Sequence, residues 1–338
     1  MIRIRQITIL TLIALAIIPA LATAQISESC KSAMNNQRLK LIVPNAAGGG
    51  YDTYARALAP VLDAVTGLQS TVVNMPAAGG LVAYTTLANA GPDELMMMLD
   101  NGTDVIRSRV DSGDAKWIER LQSIGVFHSE PSAWVGNADI DIVEAQSLVA
   151  ATSSAGGIVE FEAAGHALGK EIKFIAGFDG SKELEAALLR GDADIMSPSL
   201  TTALKMSKSG DLKIQLLLSD KPDDRVPGVP HIGGEDGLAA MLSKDLPEGE
   251  RANRIALARI VVDLSLDMRT VFVQSKLRQD LKECLTAAVA DAISDPSFKE
   301  AANAQGRPVS PMDRAKAQEV WASQLESIDK LAELMAAQ

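Results

Sequence analysis

Cysteine is nearly absent from this chain: Cys30 and Cys284 are the only two in 338 residues. That excludes a disulfide-dense scaffold and a cysteine metal cluster. Histidine is as scarce, and His128, His166 and His231 stand too far apart to form a metal-ligand motif. Cations are outnumbered, 32 Lys and Arg against 43 Asp and Glu, for a net charge of −11. A nucleic-acid partner is thereby excluded, because phosphate neutralisation needs clustered Lys and Arg. The same deficit removes long-range steering of an anionic ligand, so anion binding would have to come from local backbone dipoles. Beyond the N-terminus no apolar run approaches the ~20 residues of a bilayer span. The nearest, Ile255 to Leu266, is interrupted by Arg259 and Asp263. No G-x-S-x-G elbow is present, so a hydrolase has no nucleophile motif to stand on.

What is present begins with an export signal. Arg3 and Arg5 form a basic start, Ile9 to Leu21 an apolar run, and Ala22-Thr23-Ala24 a small-x-small cleavage site. This three-part pattern predicts a cleaved signal peptide over residues 1–24 and a periplasmic mature chain starting at Gln25. Ser27-Glu28-Ser29 before Cys30 is not a lipobox. In an oxidising compartment Cys30 and Cys284 either pair or remain two separate thiols, and spacing does not decide between them.

The mature chain is long enough for two domains. Strand and helix patterns alternate in two blocks. In the first, strands at 39–44, 70–74 and 95–99 enclose helices at 52–65 and 81–89, with Pro60 set to kink or break the first helix. In the second, strand patterns at 147–152, 173–175, 194–197 and 213–219 flank helices at 159–168 and 181–190, with Ser181 as N-cap and Gly191 at the far end. The chain from Arg251 onwards reads as mostly helical, with strong helices at 277–293 and 315–336. βαβα order predicts parallel sheets flanked by helices, with ligands in the crevice at the strands' C-terminal ends.

Two loops stand at that position. Pro44-Asn45-Ala46-Ala47-Gly48-Gly49-Gly50 and Met75-Pro76-Ala77-Ala78-Gly79-Gly80 each join a strand to a helix N-terminus through small residues. Glycine permits sharp turning and close approach, and helix N-terminal N–H groups favour anions. The first loop is followed by Tyr51-Asp52 rather than the Lys-Ser or Lys-Thr of a Walker motif, and it lacks G-x-G-x-x-G spacing. Asp52 suits a capping role and an i,i+4 pair with Arg56 better than ligand contact. Tyr51 lines a pocket wall or packs on the lobe surface. Trp117 and Trp134 read as core or hinge packing.

At these residues the chain resembles a known family. Val43 to Arg56 resembles the opening motif of the tripartite tricarboxylate transporter receptors (Bug receptors), and Asn74 to Gly80 their second motif. Gly177-Phe178-Asp179-Gly180-Ser181, Gly191 to Met196, Val226 to Pro230, Asp295 to Phe298 and Gly306-Arg307-Pro308 extend the resemblance over most of the mature chain. Met268 to Gln274 departs from it, standing where the family usually has an aromatic-rich strand and a Gly-Thr-Pro-like turn.

The resemblance implies an α/β type II periplasmic-binding fold: two lobes, a hinge, and a ligand cleft between them. Lobe I would take residues 25–128, lobe II 129–220, and 221–338 would return to lobe I with the C-terminal helices. It implies a receptor, not an enzyme, that needs no cofactor and no metal. The ligand would be a small organic acid: a di- or tricarboxylate, an aromatic acid or an amino acid. The partner would be a permease with large and small subunits, the alternative being a membrane sensor kinase, and the receptor would be a monomer. Carried across by position, the first-lobe site is Asn45, Ala46, Ala47, Gly48, Gly49, Gly50 and Tyr51, with Ala77, Ala78, Gly79 and Gly80, and Asn101, Gly102 and Thr103. The second-lobe site is Ser153, Ser154 and Gly156, then Asp179, Gly180 and Ser181, and Ser197. Each of these second-lobe residues also has a plain structural reading; Ser181, for one, serves equally as an N-cap.

Overall fold

The structure, a computed structural model, describes residues 26–34, 37–101, 119–153 and 155–336. The chain opens with α1 (Glu28–Met34), β1 (Arg38–Val43), α2 (Gly50–Thr66), β2 (Gln69–Asn74), α3 (Leu81–Ala88), β3 (Met96–Asn101) and β4 (Leu121–Pro131). It continues through β5 (Ala133–Asn137), β6 (Ser147–Thr152), α4 (Ala155–Leu168), β7 (Glu171–Ala176), α5 (Ser181–Arg190), β8 (Ile195–Met196), α6 (Leu200–Met206), β9 (Leu212–Leu217), α7 (Leu238–Leu242) and α8 (Glu248–Leu264). It ends with β10 (Leu266–Gln274), α9 (Gln279–Ser294), α10 (Pro296–Ala304) and α11 (Arg314–Ala336). The signal-peptide residues, Thr103, Trp117 and Ser154 lie outside the described residues.

Among the described residues there are two five-stranded sheets, ordered β2-β1-β3-β10-β4 and β7-β6-β8-β5-β9. In the first, β1 runs parallel to β2 and β3, and β10 pairs antiparallel with β3 and β4. In the second, β6 is parallel to β7 and β8, while β5 is antiparallel to β8 and β9. Each sheet has its own core. Tyr54, Leu58 and Leu62 of α2 pack with Phe127 and Phe298 in the first; Trp134, Phe161 and Leu168 anchor the second. Trp134 is fully buried with its ring 5.4 Å from Phe161, the core packing expected of it.

Two chain passages join the lobes, β4 to β5 through Ser132 and α8 to β10 through Ser265. They run side by side: the Ser132 N–H donates to the Ser265 carbonyl at 2.9 Å. This is the hinge, and it revises the expected boundaries. β4 carries the first lobe to Pro131 rather than to residue 128. The return comes after Leu264, not at residue 221, because Leu238 and Ala239 of α7 and Leu257, Val261 and Leu264 of α8 are buried in the second core. The last helix straddles both lobes, with Ala317 against Val126 and Met268 of the first and Ile328 and Leu331 in the second core.

The expectation of a mostly helical segment after Arg251 misses β10. That strand lies inside the first sheet with eight of its nine residues buried. A strand covered on both faces loses the alternation that marks a strand in sequence. α2 runs unbroken through Pro60. Cys30 and Cys284 form a disulfide with Cα atoms 5.4 Å apart, tying α1 to α9.

Candidate functional site

A cavity of about 150 Å³ lies between the lobes, beside the hinge. The first loop forms one wall: Asn45, Ala46, Ala47, Gly49, Gly50 and Tyr51 line it. Their shape is set from behind. Asp52, 3 % exposed, accepts the Gly48 N–H at 2.7 Å and the Arg56 Nε at 3.0 Å, and its other oxygen meets Arg56 Nη2 at 2.9 Å. Burial opposes the Asp52 charge, but the Arg56, Gly48 and Asn74 contacts outweigh it and hold the carboxyl below its ordinary range. Asn74 Nδ2 donates to the Asn45 carbonyl at 2.9 Å. Asp52 is therefore the loop's brace, and Gly48, at φ +81, spends its N–H on it rather than lining the cavity.

The second loop does something other than expected. Ala77, Ala78, Gly79 and Gly80 are not among the cavity's lining residues. Ala78, Gly79 and Gly80 all have positive φ, and a Cβ on Gly80 would sit 2.9 Å from the Pro44 Cβ. This loop buttresses the first. Such close backbone approach requires glycine at Gly80.

The second lobe supplies Ser153, Gly180, Ser181 and Ser197 to the lining. Ser197 Oγ is buried without a hydrogen-bond partner. Gly156 sits in the first turn of α4, and Gly157 after it lines the cavity. Asp179 lies outside the lining; its carbonyl accepts the Ala46 N–H at 3.1 Å, a bond between the lobes. Ser181 is the first residue of α5 rather than its N-cap. Gly180 holds the cap position without a side-chain cap, and Glu183 Oε2 reaches back to accept the Asp179 N–H at 2.9 Å. The N-termini of α2 from one lobe and of α4 and α5 from the other thus converge on one cavity. First-turn N–H groups lack intrahelical acceptors, so this is an arrangement that favours an anion.

Charged residues unread in the sequence also line the cavity: Glu160, Lys182, Glu183, Asp267 and Arg269. Asn101 joins them at the end of β3, its Oδ1 accepting the Met268 N–H at 3.1 Å. Arg269 is 2 % exposed; its Nη1 donates to Asp267 Oδ1 at 2.7 Å, and its guanidinium lies 4.3 Å from the Tyr51 ring centre. Burial disfavours its charge, but Asp267, Tyr51, Tyr54 and Glu130 more than restore it and raise its pKa. The Tyr51 hydroxyl donates to the same Asp267 oxygen at 2.5 Å. Tyr51 is therefore cavity wall and not lobe surface. The one signal available in sequence was Arg269, the single charge inside the segment Met268 to Gln274 that departs from the family pattern.

Behind the cavity, Glu130 at the end of β4 crosses to the second lobe. Its Oε2 accepts the Thr201 N–H at 3.1 Å, the Thr201 hydroxyl at 2.7 Å and Arg225 Nη1 at 3.1 Å. Burial pushes its pKa up, but His128, Arg269 and Thr201 overcome this and bring it down to about 2. Arg307 donates from Nη1 to the Thr202 hydroxyl at 2.8 Å, and Lys205 Nζ meets the Gln305 carbonyl at 2.6 Å. α6 is thus held to the first lobe at three points. Among the described residues no cluster of His, Cys, Asp and Glu could hold a metal, and no helix is long and apolar enough to cross a membrane.

The two sheets, hinge and cleft define a two-lobed α/β protein of the periplasmic-binding fold. Solved structures share it. A TctC solute-binding protein from Polaromonas superposes at TM-score 0.58 and 19 % identity, over 90 % of this chain and 99 % of that one. The periplasmic binding protein BugD gives 0.64 and 18 %, over 89 % and 97 %. MatC from Rhodopseudomonas palustris, solved with bound malate, gives 0.67 and 18 %, over 89 % and 99 %. No family model matches the chain. Among curated proteins, the UPF0065 protein of the TAR-I ttuE-ttuC' intergenic region of Agrobacterium vitis is 27 % identical over 68 % of each chain. Protein BugT of Bordetella pertussis is 24 % identical over 57 % of this chain and 64 % of its own length. These relatives bear out the resemblance to the tripartite tricarboxylate transporter receptors.

Proposed function

We propose that this chain is a periplasmic solute-binding receptor that captures a small organic carboxylate between its lobes and hands it to a tripartite tricarboxylate-type permease of large and small subunits. The observation that carries the reading is the convergence of the α2, α4 and α5 N-termini, from opposite lobes, on one cavity. A carboxylate there is held by backbone N–H groups, which is how a chain of net charge −11 binds an acid without a cationic surface. The ligand-facing residues on this reading are Asn45 to Ala47, Gly49 to Tyr51 and Asn101 on lobe I, with Ser153, Gly180, Ser181 and Ser197 on lobe II.

Capture is closure, with no chemistry on the ligand. The acid, bound to lobe I, recruits the helix N-termini of lobe II, and binding shifts the population towards the closed form that docks on the permease. Support comes from the relatives' names and from two neighbours of this fold, one holding malate and one adipate. The signal pattern of residues 1–24 supports the periplasm as the site of action.

A thermal-shift screen tests the reading on residues 25–338, unfolded and refolded to remove carried ligand. The panel holds mono-, di- and tricarboxylates, aromatic acids and amino acids, each beside its neutral amide. A ligand that binds the folded state raises the melting temperature by mass action. A rise with an acid and not with its amide is expected; flat melting across every acid overturns the receptor reading.

A further inference from the structure

Two cations stand among the described residues that line the cavity, and only one of them is neutralised by the chain. Arg269 is paired with Asp267 at 2.7 Å. Lys182 lines the cavity from the opposite lobe, and it is exposed. Among the described residues no carboxylate lies within ion-pair distance of its ammonium, and no acceptor takes a hydrogen bond from it. The acids of the two facing loops are engaged elsewhere or turned away. Asp52 holds the Gly48 N–H and Arg56, Glu183 holds the Asp179 N–H, and Asp179 stands outside the lining.

The position is unfavourable for a lysine. Lys182 is the second residue of α5, and a cation in the first turn meets the positive end of the helix dipole. The side chain also crosses the cleft. A Cβ placed on Gly48, in the lobe I loop, would sit 2.5 Å from the Lys182 Nζ. The ammonium of lobe II thus lies against the backbone of the loop that lobe I presents, where Ala47 and Gly49 line the cavity. A cation at the wrong end of its helix, with no counter-ion from the chain and held over an anion-favouring loop, calls for an anion from outside the chain.

We infer that Lys182 is a specificity-determining residue of the cleft. When the lobes close, its ammonium pairs with an anionic group of the ligand seated on the loop around Gly48. Lobe I recognises the ligand's charge through backbone N–H groups, and lobe II recognises it through this side chain. The inference rests on the receptor reading above and makes part of charge recognition a consequence of closure. An open receptor holds the acid by lobe I, and closing adds the ion pair.

The test is isothermal titration of the refolded mature chain with malate, adipate, benzoate and any further acid that raises the melting temperature. Each acid is set beside its amide, in the wild type, Lys182→Gln and Lys182→Arg. Lys182→Gln is expected to weaken each acid that the wild type binds by about tenfold, the size of one charge-assisted pair, and each amide by less than about twofold. The loss falls on the release rate, since the pair forms on closure. Rising salt weakens the wild type more than Lys182→Gln, and Lys182→Arg recovers most of the lost affinity. The ligand-free Lys182→Gln protein melts at or above the wild-type temperature, because the charge it loses opposed the α5 dipole. A folded Lys182→Gln protein that binds the acids as the wild type does overturns the inference and leaves the receptor reading standing. So does an equal loss for acid and amide, a Lys182→Arg protein as weak as Lys182→Gln, or a ligand-free Lys182→Gln protein that melts lower. Binding of no acid at all by the wild type sinks the receptor reading, and the inference with it.

Discussion

The Ala46 N–H donates to the Asp179 carbonyl at 3.1 Å, joining a loop of the first lobe to a loop of the second at the rim of the cavity. The bond uses backbone groups alone, so among substitutions only proline at position 46 removes its donor. Its strength depends on how firmly each loop is held. Asp52 and Asn74 hold the first loop, and Glu183 holds the second.

Gly80 serves the site without touching it. At φ +89 and with Pro44 against its missing Cβ, Gly80→Ala is expected to cost about 1–3 kcal/mol and to weaken ligand binding by displacing the first loop. Gly67→Ala is the comparison. Its φ is +75, but open space surrounds it, so it costs about 1 kcal/mol and leaves affinity alone. Urea unfolding with titration of each variant checks both; equal affinities for the two variants would refute the buttress.

Glu130 makes stability depend on acid. Its pKa falls from an ordinary 4.5 to about 2 in the folded chain. A depressed carboxylate stabilises fully above its unfolded value and loses that contribution as pH drops through its folded value. The wild type should therefore lose roughly 3 kcal/mol from this group between pH 4.5 and 2. Glu130→Gln should be less stable at pH 7 and show a shallower fall. Urea melts at pH 7, 4 and 3 decide; parallel pH curves for the two proteins would count against the assignment.

The disulfide closes a long stretch of chain, since Cys30 and Cys284 are 254 residues apart in sequence. Cys30→Ser with Cys284→Ser, or reduction, should destabilise the chain by about 2–5 kcal/mol. Because the bond lies between α1 and α9, away from the cavity, ligand affinity should hold at temperatures where the protein stays folded. Thiol titration of the unfolded, unreduced protein should find no free thiol; two would contradict the pairing.

Arg307 and Thr202 lie on opposite lobes, 2.8 Å apart. Arg307→Met removes the donor and should weaken ligand binding about two- to tenfold, chiefly through faster release, since closure loses one latch. Stopped-flow release rates, with small-angle scattering for compaction on binding, provide the check. An unchanged release rate would remove Arg307 from closure.

Much of this was legible in the chain itself. The glycine and alanine run before Tyr51 marked the loop that lines the cavity, since only small residues permit that backbone. The i,i+4 spacing of Asp52 and Arg56 gave their pairing, because helix geometry is local. The alternation of strands and helices gave the class of fold. Other features depended on distant contacts. The second loop looked equivalent to the first, yet it packs behind it, because the side on which Gly80 meets Pro44 is fixed by strands folding together. β10 was hidden by burial on both faces, and with it Arg269. In sequence that residue is one charge in an apolar run. Only pairing with β3 and β4, beneath Tyr51 and beside Asp267, turns it into the cavity's buried cation. The assignment of α7 and α8 to the second lobe was decided the same way. Their amphipathic faces required some core, and tertiary packing determined which one.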